Sequence, residues 1–280
     1  MKERLSAPVA ILLLASLTFA CSILPFRKLL GWHITLEVAA TVPDREAATL
    51  QAVQVLEARL DALALRNAQV EIDGAPAHGR IRVSLPDVPD REHLKRLLTS
   101  PGRLEFAHVI SPPSPAPVQS YQTKEAALAS LGKPPRPDRR VLPYSERLYT
   151  PENKSSQAKP EQKWLVVESP DIIDGSELRN AVAVPSLFDV DVYQIMFSLK
   201  ASGAKKFGDW TGSHIKQYLS VIFNDEVQSV VYIQTRISDN GEINGRFTRQ
   251  AAEDVALILR SGALPEVRIV EEGGSNLARG

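Results

Sequence analysis

Cysteine occurs once in these 280 residues, at Cys21, so neither an intramolecular disulfide nor a cysteine-based zinc site is available. Excess charge is also missing. Thirty-three Lys and Arg balance thirty-three Asp and Glu, which leaves no overall basic footprint, and no nucleic-acid partner is expected. The signatures of common enzymes are absent too: there is no Gly-x-Ser-x-Gly elbow, no phosphate loop ending in Gly-Lys-Ser/Thr, and no Gly-x-Gly-x-x-Gly opening a helix. His33, His78, His93, His108 and His214 form no His-Glu-x-x-His and no pair at i+4, so they read as solvated or structural. Asp189-Val-Asp191, Asp225 and Asp239-Asn-Gly-Glu242 suit turns better than calcium ligation, the last by its Asn-Gly pair at a hairpin. The expectation is a chain without catalytic residues, metal or cofactor. A hydrolase would lack both nucleophile and metal.

What is present begins with ordinary globular composition, 44% hydrophobic and 24% charged, enough for one large or two modest domains. Lys2 and Arg4 precede Ala7 to Phe26, an uncharged apolar run long enough to span a membrane. Two outcomes stay open for it. One is an uncleaved anchor flanked by Arg27 and Lys28; the other is a lipoprotein signal with Cys21 as the acylated residue, although Thr18 and Phe19 fit that pattern imperfectly. Simple cleavage to a soluble form is the minor alternative. All three place the body outside the cytoplasm.

Beyond the anchor, Ile34, Leu36 and Val38 alternate as a strand, and Val53, Leu56, Leu60 and Leu63 recur at helical spacing. Val70 to Ile72 and Ile81 to Leu85 make a hairpin. Asp90 caps a short helix carrying Leu94, Leu97 and Leu98, and Leu104 to His108 returns as a strand, giving βαββαβ. That order predicts a ferredoxin-like, split βαβ sheet, with the C-terminal helix and strand packing on it if the domain is discontinuous. Half of the twenty prolines lie between Ser111 and Lys163, and that stretch reads as a solvated linker. From Trp164 strands dominate: Tyr193 to Leu199, Leu219 to Phe223 and Val227 to Ile237, with a short helix begun by Gly175 to Ala181 and another from Ala201 to Trp210. Tyr193, Phe197, Phe207 and Phe223 are expected in the core of this unit.

The C-terminal stretch is bounded by chemistry at both ends. Thr248 is a good N-cap; Ala252, Val255, Ala256 and Leu259 form one apolar face; Arg260 lies in the last turn; Gly262 suits a left-handed C-cap and Pro265 forbids continuation. Ile243-x-Gly-x-Phe-Thr248 followed by Leu259-Arg-Ser-Gly-Ala-Leu-Pro265 resembles the SecD family, accessory subunits of the bacterial Sec translocase. Asp174-Gly-Ser-Glu-Leu-Arg-Asn-Ala181, Phe197-Ser-Leu199, Gly203-Ala204, Phe207, Thr211 and Leu219 to Val227 resemble the head of that family's first periplasmic domain. Leu56-Glu-Ala-Arg59 and Ile81 to Pro86 resemble its base. The chain departs from the family in keeping only Gly31 of the usual Gly-Leu-Asp-Leu-x-Gly-Gly start, and in lacking a proline within Ser229 to Ile233.

The resemblance implies an α+β fold with a ferredoxin-like base and an inserted α+β head. The expected divisions are 1–30, anchor or lipoprotein signal; 31–111, first part of the base; 112–162, proline-rich linker; 163–245, head; 246–272, return helix and strand of the base; and 273–280, tail. It further implies a module at the bacterial inner membrane with its body in the periplasm, meeting Sec translocase components and unfolded exported polypeptide through apolar grooves or sheet edges. The alternative is an envelope-assembly or structural protein that uses the same fold without touching preprotein. The family's later membrane helices, which carry its proton path, have no counterpart up to Gly280, so any head motion is expected to be driven by a partner or substrate. Hinges are expected near Ser111 to Lys163 and at Gly241 and Gly245, the latter on the argument that Gly245 needs a backbone conformation denied to β-branched residues.

Overall fold

The computed structural model describes residues 29–112, 115–146, 161–187 and 189–277. The apolar run, Cys21 and, within the proline-rich segment, residues 113–114 and 147–160 lie outside them. In chain order the elements are β1 (Leu29–Val38), α1 (Arg45–Ala62), β2 (Gln69–Ile72), β3 (Arg80–Pro86), α2 (Arg91–Thr99), β4 (Leu104–His108), α3 (Lys124–Ser130), β5 (Arg139–Glu146) and β6 (Glu161–Glu168). They continue with β7 (Ile173–Asp174), β8 (Leu178–Pro185), β9 (Tyr193–Leu199), α4 (Ala201–Ser213), β10 (Tyr218–Phe223), β11 (Glu226–Tyr232), β12 (Asn240–Phe247), α5 (Arg249–Ser261) and β13 (Val267–Leu277). The class is α+β, and among the described residues no helix is long and apolar enough to cross a membrane.

The base is an antiparallel sheet of order β13-β1-β3-β2. Alternation sends Trp32, Ile34, Leu36 and Val38 of β1 and Ile81, Val83 and Leu85 of β3 to one face, all fully buried under α1 and α2. Asp44 and Asp90 cap those helices by accepting from the amides of Ala47 and His93. The strand Leu104–His108, expected as the fourth of this sheet, lies elsewhere: it pairs with β10 and β7, and the fourth place is taken by β13, against β1. The reason is burial. Phe106 and Ala107, on opposite faces of β4, are both buried, which a sheet with one solvated face does not allow.

The head is built around that two-sided strand. Sheet β6-β5-β11-β10-β4-β7 curls until Val109, continuing β4, bridges Val167 of β6, and the amide of Ile110 donates to the carbonyl of Val166 (2.9 Å). A small barrel results. Ala107, Val109, Leu142, Leu165, Val167, Ile222 and Val227 form its core. The expected linker therefore contributes structure: Thr123 caps α3 through the amide of Ala126, and β5 pairs with β6 from Arg139 to Glu146. On the other side of β4 and β10, α4, α5 and the antiparallel sheet β12-β9-β8 close a second core containing Phe106, Phe197, Phe207, Ile195 and Ala256. Asp174 to Ala181 is also not a helix. One 3-10 turn at Gly175–Glu177 is followed directly by β8.

Base and head meet at a narrow seam where Leu97 of α2 packs on Leu257 and Ile258 of α5. The chain leaves the base through Ser100 to Arg103 and returns through Gly262 to Leu264, the amide of Leu264 donating to the carbonyl of Pro101 (2.7 Å). At the centre of the seam lies Arg59, 0% exposed.

Candidate functional site

The outward face of the three-stranded head sheet and the loop at its end carry exposed apolar surface. Successive side chains of β8 and β9 alternate, so Ala181, Ile195 and Phe197 enter the core while Val182 and Met196 point out. Val182 and Met196 are direct cross-strand partners, 46% and 36% exposed, and Glu242 of β12 stands beside Met196. Asn180, Ser198 and Asn240 form the next row and, with Arg179, complete the lining of a shallow, open groove of about 230 Å³. The loop between β8 and β9 is closed by the Ser186 amide donating to the Val192 carbonyl (2.8 Å), and it holds Leu187 and Val190 88% and 89% exposed. Leaving two such side chains in water forfeits roughly 1.5–3 kcal/mol of burial each.

The β8 edge of this sheet is less available than its face. Ala181 on β8 already has its amide bound by the Asn180 side chain (2.9 Å) and its carbonyl by Arg260 Nη1 (2.7 Å), and Pro185 supplies no amide. An added strand would therefore meet an occupied carbonyl and a missing donor. The face can receive apolar side chains without regard to sequence.

Gly241 and Gly245 lie within β12 and neither has a positive φ, so neither needs a glycine backbone. Each makes room for a ring: an added Cβ would stand 2.3 Å from Cζ of Phe197 at Gly241, and 2.3 Å from Cζ of Phe247 at Gly245. The Asn240-Gly241 pair is accordingly inside a strand, paired with Ser198 and Phe197, and is not a hairpin turn. Asn224 and Asp225 do form the expected turn, at φ 49° and 63°. Asp191 also takes a positive φ, 60°, in the exposed loop.

Phe197 and Phe207 are buried as expected, and Tyr193 and Phe223 pack partly buried against the same core. His214 stacks on Trp210 (4.0 Å between ring centres), His108 stands 3.1 Å from Glu168, His33 stands 3.7 Å from Glu271, and His93 stands 3.3 Å from Asp254. Among the described residues no three His, Cys, Asp or Glu side chains converge as ligands. Burial pushes the Asp254 carboxyl up from its ordinary value; His93 and Arg96 oppose the shift, and nearby Glu253 adds to it. Sequence reasoning did not single out Leu187, Val190, Val182 or Met196. Strand phase was the available signal for the last two, since they alternate with core positions.

Residues 147–266 match the model for the SecDF P1 head subdomain, and residues 49–111 match that for the N-terminal part of the P1 domain of protein translocase subunit SecDF. The SecD subunit of Koribacter versatilis is 31% identical over 243 residues, 86% of this chain and 42% of the relative. That of Aquifex aeolicus is 33% identical over 222 residues, 79% of this chain and 38% of the relative. The chain thus spans about two fifths of the curated relatives it matches. Among solved structures, one described as SecDF in a super-membrane-facing form aligns with TM-score 0.63 at 26% identity, over 88% of this chain and 30% of that one. Another, of a membrane component SecDF that enhances protein export, aligns with TM-score 0.61 at 26% identity, over 85% of this chain and 98% of that one.

Proposed function

The chain belongs to the SecD family through its P1 domain, and we propose that it assists protein export by contacting translocating or newly exported polypeptide, without catalytic activity of its own. In this reading the base is a ferredoxin-like sheet whose fourth strand arrives from the C-terminal side of the head. Residues 1–30 tether the module to the inner membrane, by a helix or through acylated Cys21, with the body in the periplasm and Sec translocase components as partners. No cofactor takes part.

The observation that carries the reading is the β8–β9 hairpin, with Leu187, Val190, Val182 and Met196 presented to solvent on a three-stranded sheet. A partner without fixed sequence offers apolar side chains at irregular intervals, and a two-strand apolar strip with a protruding loop accepts them with little demand on register. The test is a photocrosslinker placed in turn at Leu187, Val190 and Met196 in cells holding a stalled export substrate. Crosslinks to the substrate are expected, together with recovery of an inner-membrane translocase component. Labelling confined to one fixed envelope protein would replace this reading with an envelope-assembly role.

A further inference from the structure

Six polar side chains are buried among the described residues: Thr35, Thr49, Arg59, Gln194, Thr211 and Ser220. Five are bonded within the protein. Thr35 donates to Glu271, and Thr49, Arg59, Thr211 and Ser220 donate to the carbonyls of Arg45, Leu97, Phe207 and Ala107. The carboxamide of Gln194, a residue only 8% exposed, bonds to none of the described residues. Such a group has given up most of its contact with water and gained nothing from the fold in exchange, so it calls for a partner from outside.

Its place is the outer face of the three-stranded head sheet. Strand phase sets Gln194, Met196 and Ser198 of β9 on that face, opposite Ile195 and Phe197 in the core. Val184 is the cross-strand neighbour of Gln194, the Val182 and Met196 pair forms the next row, and the loop carrying Leu187 and Val190 starts just past the Pro185 and Tyr193 pair. The unpartnered amide therefore lies between the two apolar parts of the strip. At the far end of the face the polar groups are already engaged. Asn180 Oδ1 accepts from the Ala181 amide (2.9 Å), Asn240 Nδ2 donates to Asp239 Oδ1 (2.8 Å), and Arg179 Nε donates to Ser198 Oγ (3.3 Å).

A glutamine carboxamide holds an acceptor and a donor side by side, the same pair that a residue of an extended chain turns to one side through its amide and carbonyl. A helix offers neither along its length, because its main-chain groups bond one another. Successive outward positions of β9 stand about 6.8 Å apart, two strand residues, so an extended chain laid along β9 runs in step with Gln194, Met196 and Ser198. Resting on the reading that this face receives exported polypeptide, we propose that Gln194 holds the bound chain by its main chain, pairing with the amide and carbonyl of one residue. It thereby selects extended polypeptide over helical without reading the sequence. Apolar side chains on either side of the held residue then fall on Val182 and Met196 in one direction and on Leu187 and Val190 in the other.

The test uses the full chain and two uncharged, dye-labelled peptides of about ten residues with the same Leu, Ala and Ser sequence, one of them N-methylated at its central amides so that they cannot donate. The parent should bind the unmethylated peptide about tenfold more tightly. Gln194→Met, similar in length and volume but without the amide, should bring that ratio below about twofold and leave the melting temperature undiminished, since the amide bonds nothing in the fold. Leu187→Ser combined with Val190→Ser should weaken both peptides and keep the ratio. If Gln194→Met does not fold, Gln194→Leu is measured in its place. A parental ratio near one, or a ratio in the Gln194 variant as large as the parent's, would overturn the proposal and leave the functional reading standing, with water completing the amide. Failure of the parent to bind either peptide, or binding indifferent to the Leu187 and Val190 changes, would overturn the functional reading and this proposal with it.

Discussion

Gly241 shows what a single glycine does when its backbone is ordinary. Its missing Cβ is occupied by the Phe197 ring, which is buried and packed 5.1 Å from Phe106, so the ring cannot swing away from an added methyl. Gly241→Ala should cost about 1–3 kcal/mol of unfolding free energy by urea denaturation, as overpacking does. Gly274→Ala, where nothing lies within 4 Å, is the control and should be near neutral. At Asp254 the question is sign. Its folded-state pKa is raised, so the protonated form favours folding, and the stability it supplies is present at acid pH and lost as pH rises through the folded value. Asp254→Asn should therefore flatten the fall of stability as pH rises above the ordinary carboxylate range, and equal slopes for variant and parent would refute the assignment.

At the scale of elements, what the sequence disclosed depended on how many faces each element buries. β1 and β3 bury chiefly one face, and their periodicity is plain, as in Ile34, Leu36 and Val38 of β1; in α5 Ala252, Ala256 and Leu259 mark the face on the head core, while Leu257 and Ile258 bury a second one at the seam. β4 buries both faces, so its residues carry no mark of which sheet they join. β5 was concealed by composition, since Pro143 lies within it opposite Trp164; proline is tolerated because β5 has a full ladder only with β6, and meets β11 at the single pair Val227 and Tyr144. Arg59 was visible only as a motif residue. Three positions beyond Leu56, it falls on the apolar face of α1, and that placement was the signal of its burial. The barrel makes a direct prediction: Leu165→Ala removes a fully buried side chain from its core and should cost about 2–5 kcal/mol in a denaturation experiment, where the same change in a solvated linker would cost almost nothing.

Across the whole molecule, charge and apolar surface are distributed differently. The chain has no net charge, and ion pairs are spread over both units, such as Arg45 with Glu37 in the base, Lys206 with Glu177 in the head, and Arg236 with Asp209 across α4. Leu50, Leu128, Ile215, Ile269 and Val270 are half-exposed elsewhere, while the two most exposed large apolar side chains among the described residues, Leu187 and Val190, stand together in the β8–β9 loop with Val182 and Met196 on the adjoining strands. Contact there with an unfolded chain would rest on apolar burial and would owe little to long-range attraction, so it should respond to salt accordingly. Binding of a permanently unfolded, reduced polypeptide to the full chain should change less than about twofold as ionic strength rises from roughly 0.05 to 0.5 M, a range over which screening of exposed charges increases strongly. Replacing Leu187 and Val190 together by Ser should weaken that binding by about tenfold or more while leaving the melting temperature unchanged, because both side chains are already in water in the folded state. Affinity that collapses with salt yet survives the double substitution would mean that charged surface, and not this hairpin, holds the polypeptide.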